Sequence, residues 1–436
     1  VYIVNQKSFP ISFNMSADNG GSKSTGENLA NISLSFDNLI SINDNIYLKY
    51  TQDTDTENSK RYNKSFYGSL SFPFGYWTFS NSINYSKYLT TVKGYYTTFH
   101  TSGNTLTQMY NMDRVLFRRQ LYKINIGSSL TVKDTESYVR NLKSETGSRK
   151  SSNINLYANN VIYTKLGTII LKPSYQRGLD WFNSKRDLRH SEMLKTEPKL
   201  QYDIVKLYAY YNTRLNLPLL TKTQIKDQDG TDLMREVKRK IKDKETGKEK
   251  EVVEQVPYKV RNKINLNYTL TFDSQYSWDT LYGTDQFSIG GEYTVRGFRE
   301  STISGDNGYY IRNDLSVGLQ QLFPIALLNT KFMNYGSIIK GKNVRLSIND
   351  FLKRSQLSIF YDYGYVKDKY SDSSDKFFNS QSGYMAGTGV ALNYYGKYLN
   401  WSLTYAKTLR SPQYLQTRDG IDREGHSLYW RINGRF

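Results

Sequence analysis

The sequence predicts an all-β protein: a transmembrane antiparallel β-barrel of about sixteen strands. Three observations predict this fold. Polar and apolar residues alternate along many segments, short turns alternate with long polar connections, and the last residue of the chain is an aromatic that continues a strand pattern.

Strict alternation is the dominant pattern of the chain. In NISLSF the apolar residues Ile32, Leu34 and Phe36 occupy one face and polar residues occupy the other, and KINLNYTLTF (263–272) and NWSLTY (400–405) repeat this arrangement. A period of two with one polar face predicts a half-buried strand. The pattern fits both a soluble sandwich and a barrel whose polar face lines the lumen, so alternation alone does not separate the two folds.

The lengths of the connections favour the membrane barrel. Short turns are predicted at 41–45, 74–77 and 395–398. Long polar segments lie between them, with examples at 51–63, 132–152 and 369–383. Short connections at one end and long ones at the other are typical of outer-membrane barrels, whose periplasmic turns are short and whose surface loops are long.

The composition excludes several classes of protein. No apolar run approaches the roughly 18 residues of a membrane-spanning helix, and the 39 tyrosines suit aromatic girdles at membrane interfaces. The absence of cysteine excludes disulfides, thiolate catalysis and cysteine-ligated zinc. The net charge of +19 is spread over many segments, which predicts solvated loops and a polar lumen and does not predict a nucleic-acid partner.

The sequence does not predict an enzyme. His100, His190 and His426 are far apart and lack the spacing of metal ligands. No serine lies in a nucleophile-elbow pattern, and no phosphate-binding motif is present. We therefore expect no catalytic residues, no metal and no cofactor.

Two insertions interrupt the strand rhythm. Lys222–Val256 is densely charged and is predicted to be a helix or a disordered insertion. Ala326–Lys353 is more apolar. Counting strands from a periplasmic N-terminus places both insertions on the periplasmic side.

The chain end HSLYWRINGRF has the form of the assembly signal of bacterial outer-membrane barrels. Trp430 and Phe436 share its apolar face with Leu428, Ile432 and Gly434. The last strand has to close against the first so that no strand edge is left in lipid. We therefore expect outer-membrane lipid and the barrel-assembly machinery as partners.

The segment QFSIGGEYTVRGFRE (286–300) carries a single arginine between valine and glycine. If Arg296 lies in a barrel lumen, it needs a carboxylate partner, because an unpaired buried charge is costly. In SIFYDYGYV (358–366) the alternation points Phe360, Asp362 and Gly364 inward. An ion pair between Arg296 and Asp362 is predicted, with Asp314 or Glu292 as competing partners.

These residues resemble two motifs of the outer-membrane assembly and secretion superfamily. Val295, Arg296, Gly297 and Phe298 match its VRGF/Y motif, which lies at the tip of a surface loop folded into the lumen. Phe360, Asp362 and Gly364 match its F-x-D-x-G strand motif, whose acidic residue meets that arginine. The resemblance implies an inward-folded loop at residues 286–307, anchored on the strand that carries Asp362.

Within the superfamily, the chain is most similar to the two-partner secretion transporters of the TpsB, haemolysin-secretion type. The segments 16–48 and 304–315 resemble their opening hairpins and the strand that follows their lumenal loop. The resemblance implies an outer-membrane pore that secretes an unfolded partner exoprotein without ATP. A barrel insertase of the same superfamily and a passive porin are the alternatives.

Transporters of this family carry periplasmic POTRA domains before the barrel. We therefore expect residues 1–9 to be the tail of a missing POTRA domain and residues 10–436 to form the barrel. The resemblance covers nearly the whole chain apart from the two insertions.

Overall fold

The structure is a computed structural model with side chains. It describes residues 10–54, 61–93, 98–145, 147–188, 197–224, 234–242, 249–257, 259–299, 301–323, 336–339, 342–369, 382–412 and 425–436. The expected POTRA tail at 1–9 lies outside these residues. No helix in the described part of the chain is long and apolar enough to cross a membrane.

The fold is one closed antiparallel barrel with a few short additions. The strands are β1 (Ile11–Asp18), β2 (Leu29–Asp37), β3 (Asn45–Asp53), β4 (Tyr62–Phe74), β5 (Trp77–Lys93), β6 (Thr98–Arg118), β7 (Tyr122–Val139), β8 (Leu142–Lys143), β9 (Arg149–Thr164), β10 (Gly167–Leu179), β11 (Asp203–Gln224), β12 (Met234–Lys242), β13 (Glu249–Pro257), β14 (Lys259–Ser277), β15 (Phe287–Ile289), β16 (Ile303–Gly305), β17 (Asn307–Gly318), β18 (Gly336–Ile339), β19 (Lys342–Ser347), β20 (Ser355–Lys367), β21 (Gly383–Tyr395), β22 (Leu399–Arg410) and β23 (His426–Arg435). The helices are a 3₁₀ turn (Leu319–Leu322) and α1 (Ile348–Arg354).

Seventeen strands form the main sheet, and sixteen of them make the barrel wall, because the seventeenth is the two-residue β8 beside β7. Each wall strand pairs antiparallel with its neighbours, and β1 pairs with β23 to close the ring. The prediction of a sixteen-strand antiparallel barrel is confirmed.

The start of β1 and the end of β23 lie at one end of the barrel, where the backbones of Phe13 and Phe436 exchange two hydrogen bonds of 3.2 and 2.9 Å. At this end, which we call the terminal end, the turns before β3, β5 and β22 are short. The connections before β11, β17, β21 and β23 leave from the opposite end, which we call the loop end, and the two insertions leave from the terminal end.

The polarity of the wall is the reverse of that of a soluble protein. In β2, Ile32 faces outward and is 44% exposed, whereas its neighbours Asn31 and Ser33 face the lumen and are 6% and 8% exposed. In β23, Leu428 and Ile432 face outward. Apolar side chains outside and polar side chains inside are what a lipid-facing wall requires, so the soluble-sandwich reading of the alternation is wrong.

The prediction for the charged insertion 222–256 is wrong. Residues 222–224 still belong to β11, and β12 and β13 form a two-stranded antiparallel hairpin rather than a helix or a disordered segment. The register places Glu236 opposite Gln255 and Val237 opposite Glu254. The hairpin leaves the wall at the terminal end, as strand counting predicts.

Two other expected loops contain regular structure. The segment 132–152 is mostly wall strand, because β7 runs to Val139 and β9 begins at Arg149. In the second insertion, 326–353, the described residues form the β18–β19 hairpin and most of α1.

Candidate functional site: a lumenal loop anchored on the barrel wall

The connection between β14 and β17 folds back into the barrel. The short strands β15 and β16 pair with each other, so that Phe287, Ser288 and Ile289 lie opposite Gly305, Ser304 and Ile303. Residues 290–299 and 301–302 form the tip of this hairpin. Gly290 and Gly291 adopt φ values of 115° and 93°, which side-chain-bearing residues rarely accept, and these values allow the chain to turn into the tip.

Arg296 lies at the tip and binds Asp362 of β20. Its Nε lies 2.6 Å from Asp362 Oδ2 and its Nη2 lies 2.7 Å from Oδ1, so the pair is bidentate. The backbone N–H of Arg296 also donates to Oδ2, at 3.0 Å. Asp362 is 0% exposed and Arg296 is 6% exposed. This geometry is the strongest form of arginine–carboxylate contact.

A second carboxylate and an aromatic ring complete the surroundings of the guanidinium. Arg296 Nη1 donates to Asp314 Oδ1 at 2.8 Å, and the guanidinium carbon lies 3.5 Å from the centre of the Phe360 ring. Burial alone would lower the pKa of Arg296, but the hydrogen bonds and charge of Asp362, helped by Asp314, raise it above its ordinary value. The guanidinium therefore stays charged.

Glycines on the wall let the loop approach the strands closely. A Cβ at Gly387 of β21 would lie 1.9 Å from the carbonyl oxygen of Arg296, and a Cβ at Gly364 of β20 would lie 3.0 Å from Val295 Cγ2. Gly297 has a φ of 103° and passes close to the backbone of Lys407 in β22. The loop rests on bare backbone at these points, as glycines inside strands often allow.

Apolar side chains of the loop are buried against the lumen wall. Val295, Ile289 and Ile303 are 0% exposed and pack with Phe298, Val366 and Met385. This cluster is a hydrophobic core inside an otherwise polar lumen. It stabilises the docked loop together with the ion pair, because removing apolar side chains from water contributes roughly 25 cal/mol per Å².

The loop is also tied to the last strands and to the first. Thr408 of β22 donates to the carbonyl oxygen of Gly297 at 2.7 Å, and the Gly297 N–H donates to Tyr429 Oη of β23 at 3.3 Å. Arg431 of β23 donates to Glu292 Oε2 at 3.1 Å and also to the hydroxyl of Tyr293. Arg431 Nε lies 3.9 Å from Asp18 of β1. These contacts connect the tip to both sides of the β1–β23 seam.

The structure therefore brings together seven of the residues predicted from the sequence: Val295, Arg296, Gly297, Phe298, Phe360, Asp362 and Gly364. Of the two competing partners predicted for Arg296, Asp314 binds it together with Asp362, whereas Glu292 binds Arg431 instead. Their role in transport stays a prediction.

Trp430 and Phe436 lie apart from the loop motif, along the seam. Phe436 is 71% exposed on the outer face, and its backbone pairs with Phe13. Asn19 extends the seam beyond β1: its amide donates to the carbonyl of Leu428 at 2.7 Å and its Oδ1 accepts from Trp430 N–H at 2.8 Å. The role of Trp430 and Phe436 as an assembly signal stays a prediction.

Sequence reasoning missed Gly387, Thr408, Tyr429 and Asn19. The run Gly387-Thr388-Gly389 in β21 carries a usable signal, because paired glycines on one face of a strand indicate close backbone approach. The other three are ordinary polar residues in strands or turns, and only the closed ring places them near the loop or the seam.

The arrangement holds a protein segment against the barrel wall. Among the described residues, no group of three or more His, Asp or Glu side chains is placed to hold a metal ion. The buried charge of Arg296 is paired with Asp362 and Asp314. The site is therefore an anchor for the loop.

Comparison with known proteins agrees with this geometry. A sequence model of the haemolysin secretion/activation protein family ShlB/FhaC/HecB matches residues 1–239 and 249–343. The outer membrane transporter CdiB of Dickeya dadantii strain 3937 is 28% identical over 339 residues, which are 76% of this chain and 50% of that protein. The hemolysin transporter protein ShlB of Serratia marcescens is 26% identical over 313 residues, which are 72% of this chain and 47% of that protein.

Solved structures show the same fold. CdiB from Escherichia coli superposes with a TM-score of 0.73 at 22% identity, over 99% of this chain and 64% of that one. The chain spans about half the length of the curated relatives it matches. Because the family model covers well over half of the residues, the chain belongs to the haemolysin secretion/activation protein family ShlB/FhaC/HecB.

Proposed function

We propose that the protein is an outer-membrane pore of a Gram-negative bacterium and that it secretes an unfolded partner exoprotein by two-partner secretion. The observation that carries this proposal is the lumenal loop. A closed barrel holds an anchored protein segment in its lumen, at the place where a translocating chain would pass. The named relatives, an outer membrane transporter and a hemolysin transporter, support the same function.

In this proposal residues 10–436 are one barrel unit, 286–307 are the gate, and the terminal end faces the periplasm. The client enters at the terminal end and leaves at the loop end. The β12–β13 hairpin within the insertion 222–256 then stands at the entrance. Outer-membrane lipid surrounds the wall, and the barrel-assembly machinery inserts it.

Transport needs no ATP under this proposal. A client that folds outside is withdrawn from the pool of unfolded chains, and this withdrawal pulls the equilibrium outward. The protein has only to supply a path and a gate. The proposal therefore requires no catalytic residue, in keeping with an anchor whose charged groups bind one another.

Two other functions share parts of this structure. A barrel insertase would act through the β1–β23 seam and would require the seam to open toward lipid. A passive porin would have a lumen that conducts steadily. The anchored tip favours a gated pore over a porin, because Arg296 and the apolar cluster hold a segment inside the lumen.

The experiment uses a chimera in which this chain replaces the matching region of the Serratia ShlB transporter, with haemolytic activity in the medium as the readout. Val295→Cys with Gly364→Cys locks the loop, because a Cβ at Gly364 lies 3.0 Å from Val295 Cγ2 and the chain has no other cysteine. We expect oxidation to stop secretion and reduction to restore it.

A matched lock at the seam separates the pore from the insertase. Ala17 and Ile432 lie directly opposite each other in β1 and β23. Ala17→Cys with Ile432→Cys should leave secretion intact if the client passes through the lumen. Secretion that survives the loop lock but fails with the seam lock would overturn the proposed path.

A further inference from the structure

A group of arginines marks the terminal end of β6, at residues 114, 118 and 119. Among the residues that the structure describes, none of these three arginines makes an ion pair with a carboxylate. Arg114 faces outward, since it lies two positions after the exposed Met112 in a strand. A cationic group therefore stands on the outer surface of the wall without an anionic partner from the protein.

Aromatic rings hold two of these arginines. The guanidinium carbon of Arg114 lies 5.1 Å from the centre of the Trp77 ring, and that of Arg119 lies 5.4 Å from the Phe117 ring. Tyr76, next to Trp77, is 73% exposed. Aromatic side chains at this level of a barrel are typical of the headgroup region of a membrane, and stacking on a ring fixes a guanidinium while leaving its N–H donors free.

A groove in the outer wall begins beside Trp77 and Arg114. It has a volume of about 610 Å³ and is bordered by Trp77, Ile126, Leu156 and Tyr175. Small residues beside the large ones leave room for the groove. Ala158 lies opposite Ile126, and Ser128 lies opposite Leu156. Ile126 is also the cross-strand partner of Arg114, so the groove and the arginine are direct neighbours.

We propose that Trp77, Arg114 and this groove form a binding site for an anionic glycerophospholipid. The lipid phosphate binds the Arg114 guanidinium, and one acyl chain lies in the groove along Ile126, Ala158 and Leu156. The positive charge of Arg114 favours an anionic lipid over a zwitterionic one, because a zwitterionic headgroup carries its own cation, which the guanidinium would repel. The inference rests on the outer-membrane location proposed above, which puts the terminal end in the phospholipid leaflet.

The test measures lipid retention by the folded barrel in detergent with native mass spectrometry. The probes are palmitoyl-oleoyl phosphatidylglycerol and phosphatidylcholine with the same acyl chains. We expect the wild type to retain the anionic lipid preferentially. Arg114→Gln should lower its apparent affinity about tenfold, the loss expected for one charge-assisted hydrogen bond.

Two further variants separate the charge from the groove. Ala158→Phe fills the groove and should reduce retention of both lipids. Lys87→Gln is the matched control. Lys87 also faces outward and lies over an aromatic ring, that of Tyr85, but both residues lie in β5 nearer the loop end. It should change neither lipid at this site.

Equal retention of the two lipids by the wild type would overturn the inference, as would an Arg114→Gln variant that binds phosphatidylglycerol like the wild type. Lipid binding and haemolysin secretion are separate readouts. If the chimera fails to secrete while lipid selectivity holds, the proposed function falls and the lipid site stands.

Discussion

Replacing Asp362 by asparagine tests how much the ion pair holds the loop. The substitution keeps the size of the side chain but removes the charge that faces Nε, Nη2 and the backbone N–H of Arg296. It also places an amide against the guanidinium. Arg312, whose Nε lies 4.0 Å from Asp362, then lies beside Arg296 without the carboxylate that both arginines share.

The expected cost follows from these contacts. Removing one partner of a buried ion pair costs about 3–5 kcal/mol. Asp314 still holds Nη1 of Arg296 at 2.8 Å, so the cost should lie near the lower figure. Since about 1.4 kcal/mol changes an equilibrium tenfold, the undocked population of the loop should rise about 100-fold.

The assay is thiol labelling of a single buried reporter. Val295→Cys places the only cysteine of the chain at a position that is 0% exposed when the loop is docked. When labelling is slow compared with redocking, its rate follows the undocking equilibrium. We expect Asp362→Asn to raise this rate about 100-fold, and Asp314→Asn, which removes one charged hydrogen bond, about tenfold.

A second reporter serves as the control. Ile204→Cys is equally buried but belongs to a different cluster, with Tyr202 and Leu281. Its labelling should not respond to Asp362→Asn. A rise of less than about threefold at Val295→Cys, or an equal rise at both reporters, would show that the ion pair does not hold the loop.

Three further predictions concern neighbouring contacts. Gly387→Ala should displace the tip, since its Cβ would lie 1.9 Å from the Arg296 carbonyl oxygen; labelling of Val295→Cys should rise, whereas Gly425→Ala, with open space around it, should have no effect. Burial raises the pKa of Glu292, opposed by the charge of Arg431, so the docked loop binds that proton more tightly than the undocked loop does. Docking should therefore strengthen as the pH falls through the raised pKa toward the ordinary pKa of a glutamate, and Glu292→Gln should flatten this dependence in the same labelling assay. Asn19→Ala removes two hydrogen bonds across the seam and should cost about 1–3 kcal/mol, visible as a lower unfolding midpoint in urea, with the exposed Asn216→Ala as the control. Docking that ignores pH, or an Asn19→Ala midpoint equal to that of Asn216→Ala, would contradict the corresponding prediction.

The wall of the barrel could be predicted from the sequence because its physics is local. Alternation in segments such as 31–36 and 263–272 separates the two faces of each strand, and the short turns predicted at 41–45, 74–77 and 395–398 all fall at one end of the barrel. The pairing of Arg296 with Asp362 could also be predicted, since a buried cation needs an anion and the strand pattern points Asp362 inward. The sequence could not predict that Asp314 binds the same guanidinium, because two inward carboxylates are equally plausible until the register places them.

The hairpin at 234–257 was mispredicted for a different reason. The dense charge of the segment predicted a helix or a disordered insertion. The flanking strands β11 and β14 remain paired up to Gln224 and Lys259, which brings the two ends of the segment together. Two short strands that begin side by side then pair at little entropic cost.

The anchors of the loop have a consequence for the order in which the molecule is built. The contacting residues of the tip lie at 292–298, yet most of their wall contacts come from later in the chain: Asp362 in β20, Thr408 in β22 and Tyr429 and Arg431 in β23. No partly synthesised or unclosed sheet can offer this full set. Docking of the tip is thus a late folding event, and its completion reports that the final strand has reached its place.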